Sequence, residues 1–317
     1  MEEYRARGIE EMSWQDFVTV VDFYERSGFK RMTLLGGEPT LHSRFLDVLT
    51  FLGSRNFSVF VTTNGICPPS VVDSIAQMKF PDLKFGVNST SYFAYSQEKR
   101  QKVDYFFKNI QAPVTICYTI TEKDAQEKNI HPLLDRMLMI MRFSLIPHIQ
   151  FQIAVPGEKN SGFVPFHQYG PTLELLQSWF KILQRNGVSY GLDCHCVPQC
   201  SISPPTGKNP FRTKCPSFMV DIGPGLDVWP CFPFSRQVFK LNQFQNFQEI
   251  YTCFSELGGN AELEYETECS ECEGKLNNTC DGGCRGFQIL RKKRREDRPF
   301  GPQGAVGDLE DREQTFP

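Results

Sequence analysis

Between residues 13 and 186 the sequence changes period repeatedly, from apolar side chains at helical spacing to short unbroken apolar runs and back. Trp14, Phe17, Val18, Val21 and Tyr24 share one face of a helix over 13–27, with Ser13 placed as N-cap and Gly28 as the stop. A strand follows at 31–35, then a helix at 43–53 ended by Gly53 and a strand at 57–63. The unit recurs as helix 68–78 and strand 83–88, helix 97–110 and strand 113–120, helix 130–143 and strand 148–155, and a last helix at 171–186. Five strands alternating with helices must run parallel and be joined by crossovers, so this part of the chain is expected to be an α/β sheet or barrel. Ligands in such folds sit at the carboxyl ends of the strands. There the sequence places Gly36-Gly37-Glu38-Pro39, Thr63-Asn64-Gly65, Asn88-Ser89-Thr90, Thr119-Ile120-Thr121 and Val155-Pro156-Gly157.

From Gly191 the texture becomes short segments rich in Pro, Gly and Cys, with no long helical period until the chain nears its end. Ten of the twelve cysteines lie between Cys194 and Cys284. A small core of that composition is expected to need metal. Cys117, in Val114-Thr115-Ile116-Cys117-Tyr118, and Cys253, beside Tyr251 and Phe254, read instead as core thiols. The basic run 291–298 reads as a solvated helix end or tail, and the stretch from Pro299 as disordered. A net charge of −3 argues against nucleic acid or an anionic membrane as main partner. The polar start and the lack of a long apolar run give a cytoplasmic expectation.

The Gly36-Gly37-Glu38-Pro39 turn after a strand, followed one unit later by a strand ending Thr63-Asn64-Gly65, resembles the radical S-adenosylmethionine (radical SAM) enzymes. The resemblance implies a partial (β/α)6 TIM-like barrel over 1–192, a cysteine-rich auxiliary-cluster domain of SPASM or twitch type over 193–290, and a tail over 291–317. It gives Gly36, Gly37, Glu38 and Pro39 the amino group of SAM, with Thr63 and Asn64 at the neighbouring strand end, and Asn88 and Ser89 the ribose. Main-chain carbonyls and a carboxylate suit an ammonium group, which only donates hydrogen bonds. Ile153 to Val155 would frame the adenine.

One departure stands out. The family holds a 4Fe-4S cluster on Cys-x-x-x-Cys-x-x-Cys after its first strand, and no such triplet precedes Gly36. The expectation is therefore a chain shortened at its amino end, lacking the first strand and the cluster ligands, and inactive in that form.

In the carboxy-terminal part, the resemblance assigns one auxiliary iron-sulfur cluster to Cys215, Cys231, Cys284 and one of Cys194, Cys196 or Cys200. A second would take Cys269, Cys272 and Cys280, with another of that group or an open iron. His195 is a further candidate ligand, and tetrahedral zinc is the alternative metal for such Cys-x-x-Cys pairs. The implied chemistry is reductive cleavage of SAM to a 5′-deoxyadenosyl radical that takes a hydrogen atom from a peptide or protein, or from a small metabolite. A flavodoxin or ferredoxin would supply electrons. The competing class is a non-catalytic relative that binds a peptide or partner and keeps metal for stability. Phe163, Phe166, His167 and Tyr169 are candidates to line a substrate path.

Overall fold

The computed structural model describes residues 11–126, 148–155, 162–192, 197–202, 211, 213, 219–231, 238–260, 269 and 271–284. The first element is α1 (Trp14–Arg26), where the Ser13 hydroxyl accepts from the Asp16 amide at 3.0 Å. Gly28, at φ +78°, ends it by donating to the Glu25 carbonyl, as a C-terminal cap requires. There follow β1 (Arg31–Leu34), α2 (Phe45–Ser54), β2 (Ser58–Thr63), α3 (Pro69–Gln77), β3 (Leu83–Asn88), α4 (Gln97–Asn109), β4 (Val114–Ile120), the short α5 (Glu122–Gln126), β5 (His148–Ile153), α6 (Tyr169–Arg185) and β6 (Ser189–Leu192). These strands form one six-stranded parallel sheet in the order β1 to β6, with every neighbour consecutive in sequence. That is the wall of a partial TIM-like barrel.

Three expectations need correction. The sheet has six described strands rather than five: Ser189-Tyr190-Gly191-Leu192 is too short and too weak in β-propensity to be read alone, and pairing with β5 makes it a strand. A Cβ at Gly191 would stand 2.6 Å from the end of the Gln150 side chain, which would have to move aside for any larger residue. Helix α2 runs through Gly53 to Ser54, with the Phe80 ring packed over that glycine. The carboxy-terminal part does contain a full helix, α7 (Phe247–Asn260), which buries Phe247, Ile250 and Phe254. Its i, i+3, i+7 period is present in the sequence. The helix expected at 130–143 and the tail from 291 lie outside the described residues.

One face of the sheet is apolar and covered by helices. Phe85 meets Phe106 of α4 at 5.3 Å between ring centroids, and Phe151 meets Trp179 of α6 at 5.7 Å. Because side chains alternate along a strand, the opposite face carries Phe60, Thr62, Asn88, Cys117, Thr119, Gln150 and Gln152. Cys117 is buried, as expected, but it stands on this second face beside Gly86.

After β6 come β7 (Val220–Ile222), β8 (Asp227–Pro230) and β9 (Phe239–Lys240), an antiparallel sheet, then α7 and the four-residue α8 (Glu273–Leu276). This part is fastened to α1. Gly225 N donates to Asp16 Oδ2 at 3.1 Å, Arg26 Nε to the Gln245 carbonyl at 3.0 Å, and Phe247 N to Ser27 Oγ at 3.2 Å. The Phe247 ring lies edge-on to Phe23, Tyr24 and Phe29 at 5.0, 4.7 and 5.1 Å. No helix among the described residues is long and apolar enough to cross a membrane.

Candidate functional site

Strand β1 pairs with β2 in a register that sets Leu34 beside Val61, so the ends of the two strands come level. Beyond Leu34 the chain turns through exposed Gly36 and Gly37, and Gly36 takes φ +144°, a conformation that disfavours any side chain. Glu38 then caps a single 3-10 turn over Pro39–Leu41.

The Glu38 carboxylate gathers the two strand ends. Its Oε1 accepts from Thr40 N at 3.2 Å, Thr40 Oγ1 at 2.7 Å and Thr63 Oγ1 at 2.7 Å, while Oε2 accepts from Asn64 N at 2.7 Å. Beyond it, Thr63 Oγ1 accepts from Gly65 N, and Asn64 Oδ1 from Ile66 N at 2.7 Å, which fixes the Thr-Asn-Gly corner. The main-chain carbonyls of Gly36 and Gly37 accept no hydrogen bond among the described residues. Two unpaired acceptors next to a carboxylate form a receptor for a group that only donates, such as a primary ammonium.

Cys67 lies beneath this turn, fully buried against Thr40. Burial pushes its thiol up to about 11, against the pull of Thr40, so it stays protonated near neutrality. Tyr95, just after β3, is held above its usual range by burial first and by the Glu38 charge second. This neighbour of Glu38 was not legible in the sequence, because only the sheet order brings the ends of β1 and β3 near each other. On the far side of the turn His42 accepts from Arg44 N through Nδ1, which leaves Nε2 to donate to the Met12 carbonyl at 3.0 Å. The segment before α1 is thereby tied to the turn.

Asn88 and Ser89 occupy the end of β3. Asn88 is exposed, and its Oδ1 accepts from Thr90 N at 3.1 Å; Ser89 is buried and donates to the Cys117 carbonyl at 3.3 Å. Only Asn88 therefore opens to the strand-end rim. Ile153 and Ala154 are buried. Among the candidates for a substrate path, Tyr169 is fully buried at the start of α6 and His167 is exposed. Phe166 packs toward Gly283, within 3.7 Å of where its Cβ would stand.

The described cysteines fall into two groups. Cys200, Cys272 and Cys280 all lie near Cys269, whose thiol is pushed up by burial first and then by those three sulfurs. The turn bearing Cys200 is held against the Cys280 loop: Gln199 N donates to Cys280 Sγ at 3.3 Å, and Thr279 Oγ1 donates to Gln199 Oε1 at 3.1 Å. Gly282 N also donates to Cys280 Sγ at 3.3 Å. Elsewhere Cys231, at φ +34°, accepts from Met219 N through Sγ at 3.2 Å, and Cys284 is half-buried against the core. Cys253 is half-buried on α7 and also packs on the core, its thiol raised by burial. None of the nine described cysteines is in a disulfide. Among the described residues no three ligating side chains stand in metal-holding geometry. Cys194, His195, Cys196 and Cys215 lie outside the described residues.

A cavity of about 410 Å3 opens away from these groups, between α1 and residues 241–245, with Phe23, Leu241 and Phe244 in its wall. Arg26 in that wall is already bonded to the Gln245 carbonyl.

Residues 3–112 match the sequence model of the Radical SAM superfamily. Over that segment the chain is similar to the radical SAM superfamily. It contains the Glu38 turn, Thr63-Asn64 and Asn88-Ser89, whereas every cysteine after Cys67 falls outside it.

No curated protein sequence matches the chain. Solved radical SAM structures match the fold. Streptococcus suis SuiB bound to S-adenosylmethionine aligns with a TM-score of 0.64 at 14% identity, over 88% of this chain and 67% of that one. SuiB bound to its precursor peptide SuiA gives 0.59 at 16% identity, over 88% and 66%. The anSMEcpe enzyme with bound AdoMet and Kp18Cys peptide gives 0.56 at 15% identity, over 87% and 81%. The chain thus spans about two thirds of the SuiB chains it matches. At such identities the likeness is one of fold.

Proposed function

We propose that this chain is the SAM-binding barrel and auxiliary-cluster part of a radical SAM enzyme acting on a peptide or protein. The observation that carries this reading is the receptor at the end of β1: paired main-chain carbonyls of Gly36 and Gly37 beside a carboxylate fixed by four hydrogen bonds. When bound, SAM supplies an adenosyl group that is transferred or activated by cleavage at its sulfonium. The chain's own residues bind the amino group at the turn, present Asn88 toward the ribose, and line the barrel wall with neutral amides and hydroxyls. The peptide substrate is supported by analogy with SuiB and anSMEcpe, whose structures hold peptides. A cytoplasmic setting and an electron donor of flavodoxin or ferredoxin type belong to the same reading.

The described residues do not fit the SAM-bound 4Fe-4S cluster. Cys67 is the first cysteine of the sequence, and it is buried as a protonated thiol under Thr40 rather than offered at the turn. A second reading is a peptide-binding relative whose metal is structural.

The auxiliary centre fits better. Cys200, Cys269, Cys272 and Cys280 form one thiol set, and amide-to-sulfur bonds of the kind made at Cys280 stabilise thiolates. Cys231 and Cys284, with Cys215 and one of Cys194 or Cys196, form the other proposed set. Equilibrium dialysis of the chain against labelled SAM is expected to show saturable binding, competed by S-adenosylhomocysteine. Anaerobic reconstitution is expected to load iron and sulfide. Absence of SAM binding sinks the first reading, and stoichiometric zinc without sulfide favours the second.

A further inference from the structure

Glu38 is the one carboxylate at the turn, yet its lone pairs are nearly all spoken for. A carboxylate offers about four acceptor positions, and Glu38 receives four donors, three of them on Oε1. The glycine turn is held by little else, since neither Gly36 nor Gly37 makes a backbone hydrogen bond among the described residues. Its position is set by the pairing of Leu34 on one side and by Glu38 on the other.

Resting on the SAM-binding reading, we propose that Thr40 and Thr63 are positioning residues. Their hydroxyls and the Asn64 amide commit the Glu38 carboxylate to a latch between the β1 turn and the end of β2. The ammonium of SAM is then taken chiefly by the carbonyls of Gly36 and Gly37, and Glu38 acts by holding them in place. Cys67 supports the latch from below: fully buried against Thr40, it leaves that hydroxyl little freedom to leave Glu38. Thr63 is buried, so its hydroxyl has no competing water. A main-chain receptor held this way reads the geometry of three N–H donors rather than charge alone.

The test uses the full chain with Thr63→Val, Thr40→Val, the double variant and the conservative Thr63→Ser. Hydrogen exchange of the Thr40 and Asn64 amides, both donating to the Glu38 carboxylate, is measured by NMR. SAM affinity is measured by dialysis, with 5′-methylthioadenosine, which lacks the amino acid, as control ligand. The double variant is expected to exchange these amides at least about tenfold faster and to bind SAM about tenfold more weakly, on the scale of one lost hydrogen bond to a charged group. Its affinity for methylthioadenosine stays unchanged, and Thr63→Ser behaves as wild type. Unchanged exchange in the double variant and in both single variants overturns the latch. So does wild-type SAM affinity in the double variant when Glu38→Gln has lost it. A wild-type chain that binds no SAM refutes the SAM-binding reading instead, and the exchange measurement still decides whether the latch exists.

Discussion

The turn after β1 and the cysteine knuckles between residues 199 and 284 are both candidate sites, and they are built by opposite means. At the turn, one carboxylate joins two adjacent parallel strands through short hydrogen bonds, so the proposed receptor is ordered by the chain itself. At the knuckles, three thiols lie within electrostatic reach of Cys269 but short of coordination geometry. The first site is supported by a sheet with a helix-covered apolar face. The second rests on 3-10 turns and a four-residue helix, elements that bury little of their own. Where the chain has a large core it can preorganise a site, and where it has none the ligand must supply the order.

The largest expected effect breaks the turn outright. Glu38→Ala leaves Thr40 N, Asn64 N and two hydroxyls without their acceptor, and a loss of about 3 kcal/mol in unfolding free energy is expected by urea denaturation. A value near zero would mean that water replaces the latch and that the turn is not preorganised.

Next comes metal removal. Chelation of the reconstituted protein is expected to raise hydrogen exchange across 269–284 while leaving 31–64 unchanged. Equal effects on both regions would erase the contrast. Cys200→Ser is expected to lower iron content by one cluster per chain with SAM affinity intact, measured by iron assay and dialysis.

A smaller effect concerns the seam between the regions. Asp221 of β7 lies near Tyr24 of α1, and burial raises its carboxyl from 3.8 to about 6, with the Trp229 hydrogen bond pulling the other way. The folded state therefore binds the proton more tightly than the unfolded chain. Stability falls as pH rises from about 4 to about 6, and the whole cost is present above that. Asp221→Asn is expected to stabilise the protein at pH 7.5 by about 1–2 kcal/mol, discounted from the full shift because the side chain is only half-buried, and to have no such effect near pH 4. Thermal melts at the two pH values check this. Smallest is Ser13→Ala, which removes the α1 cap at about 1 kcal/mol in the same assay.

Much of the barrel wall was legible. Alternation in β2 and β5 and the Ser13 and Gly28 punctuation of α1 are local signals, and their elements formed within a residue or two of the expected bounds. The Gly-Gly-Glu-Pro turn was equally plain. Its working was not: Thr40 carried no signal, and the Thr63 hydroxyl reaches Glu38 only because the β1–β2 register sets their ends level. Strand β6 was missed because its neighbour, rather than its composition, makes it a strand. Helix α7 was missed because cysteine and glycine around it masked a sound apolar period. The closeness of Cys200 to Cys269 depends on how the 199–201 turn folds onto the 272–280 loop, and no spacing rule encodes that.

Phe247 also ties the two ends of the described chain together. Its ring is received by Phe23, Tyr24 and Phe29, all supplied by α1 and the turn that ends it. The apolar row of α7 is shared between that helix and β9, where Phe254 meets Phe239 at 5.7 Å. The amino-terminal helix thus anchors the distant carboxy-terminal half, so the chain is closed back on its own beginning through one aromatic ring.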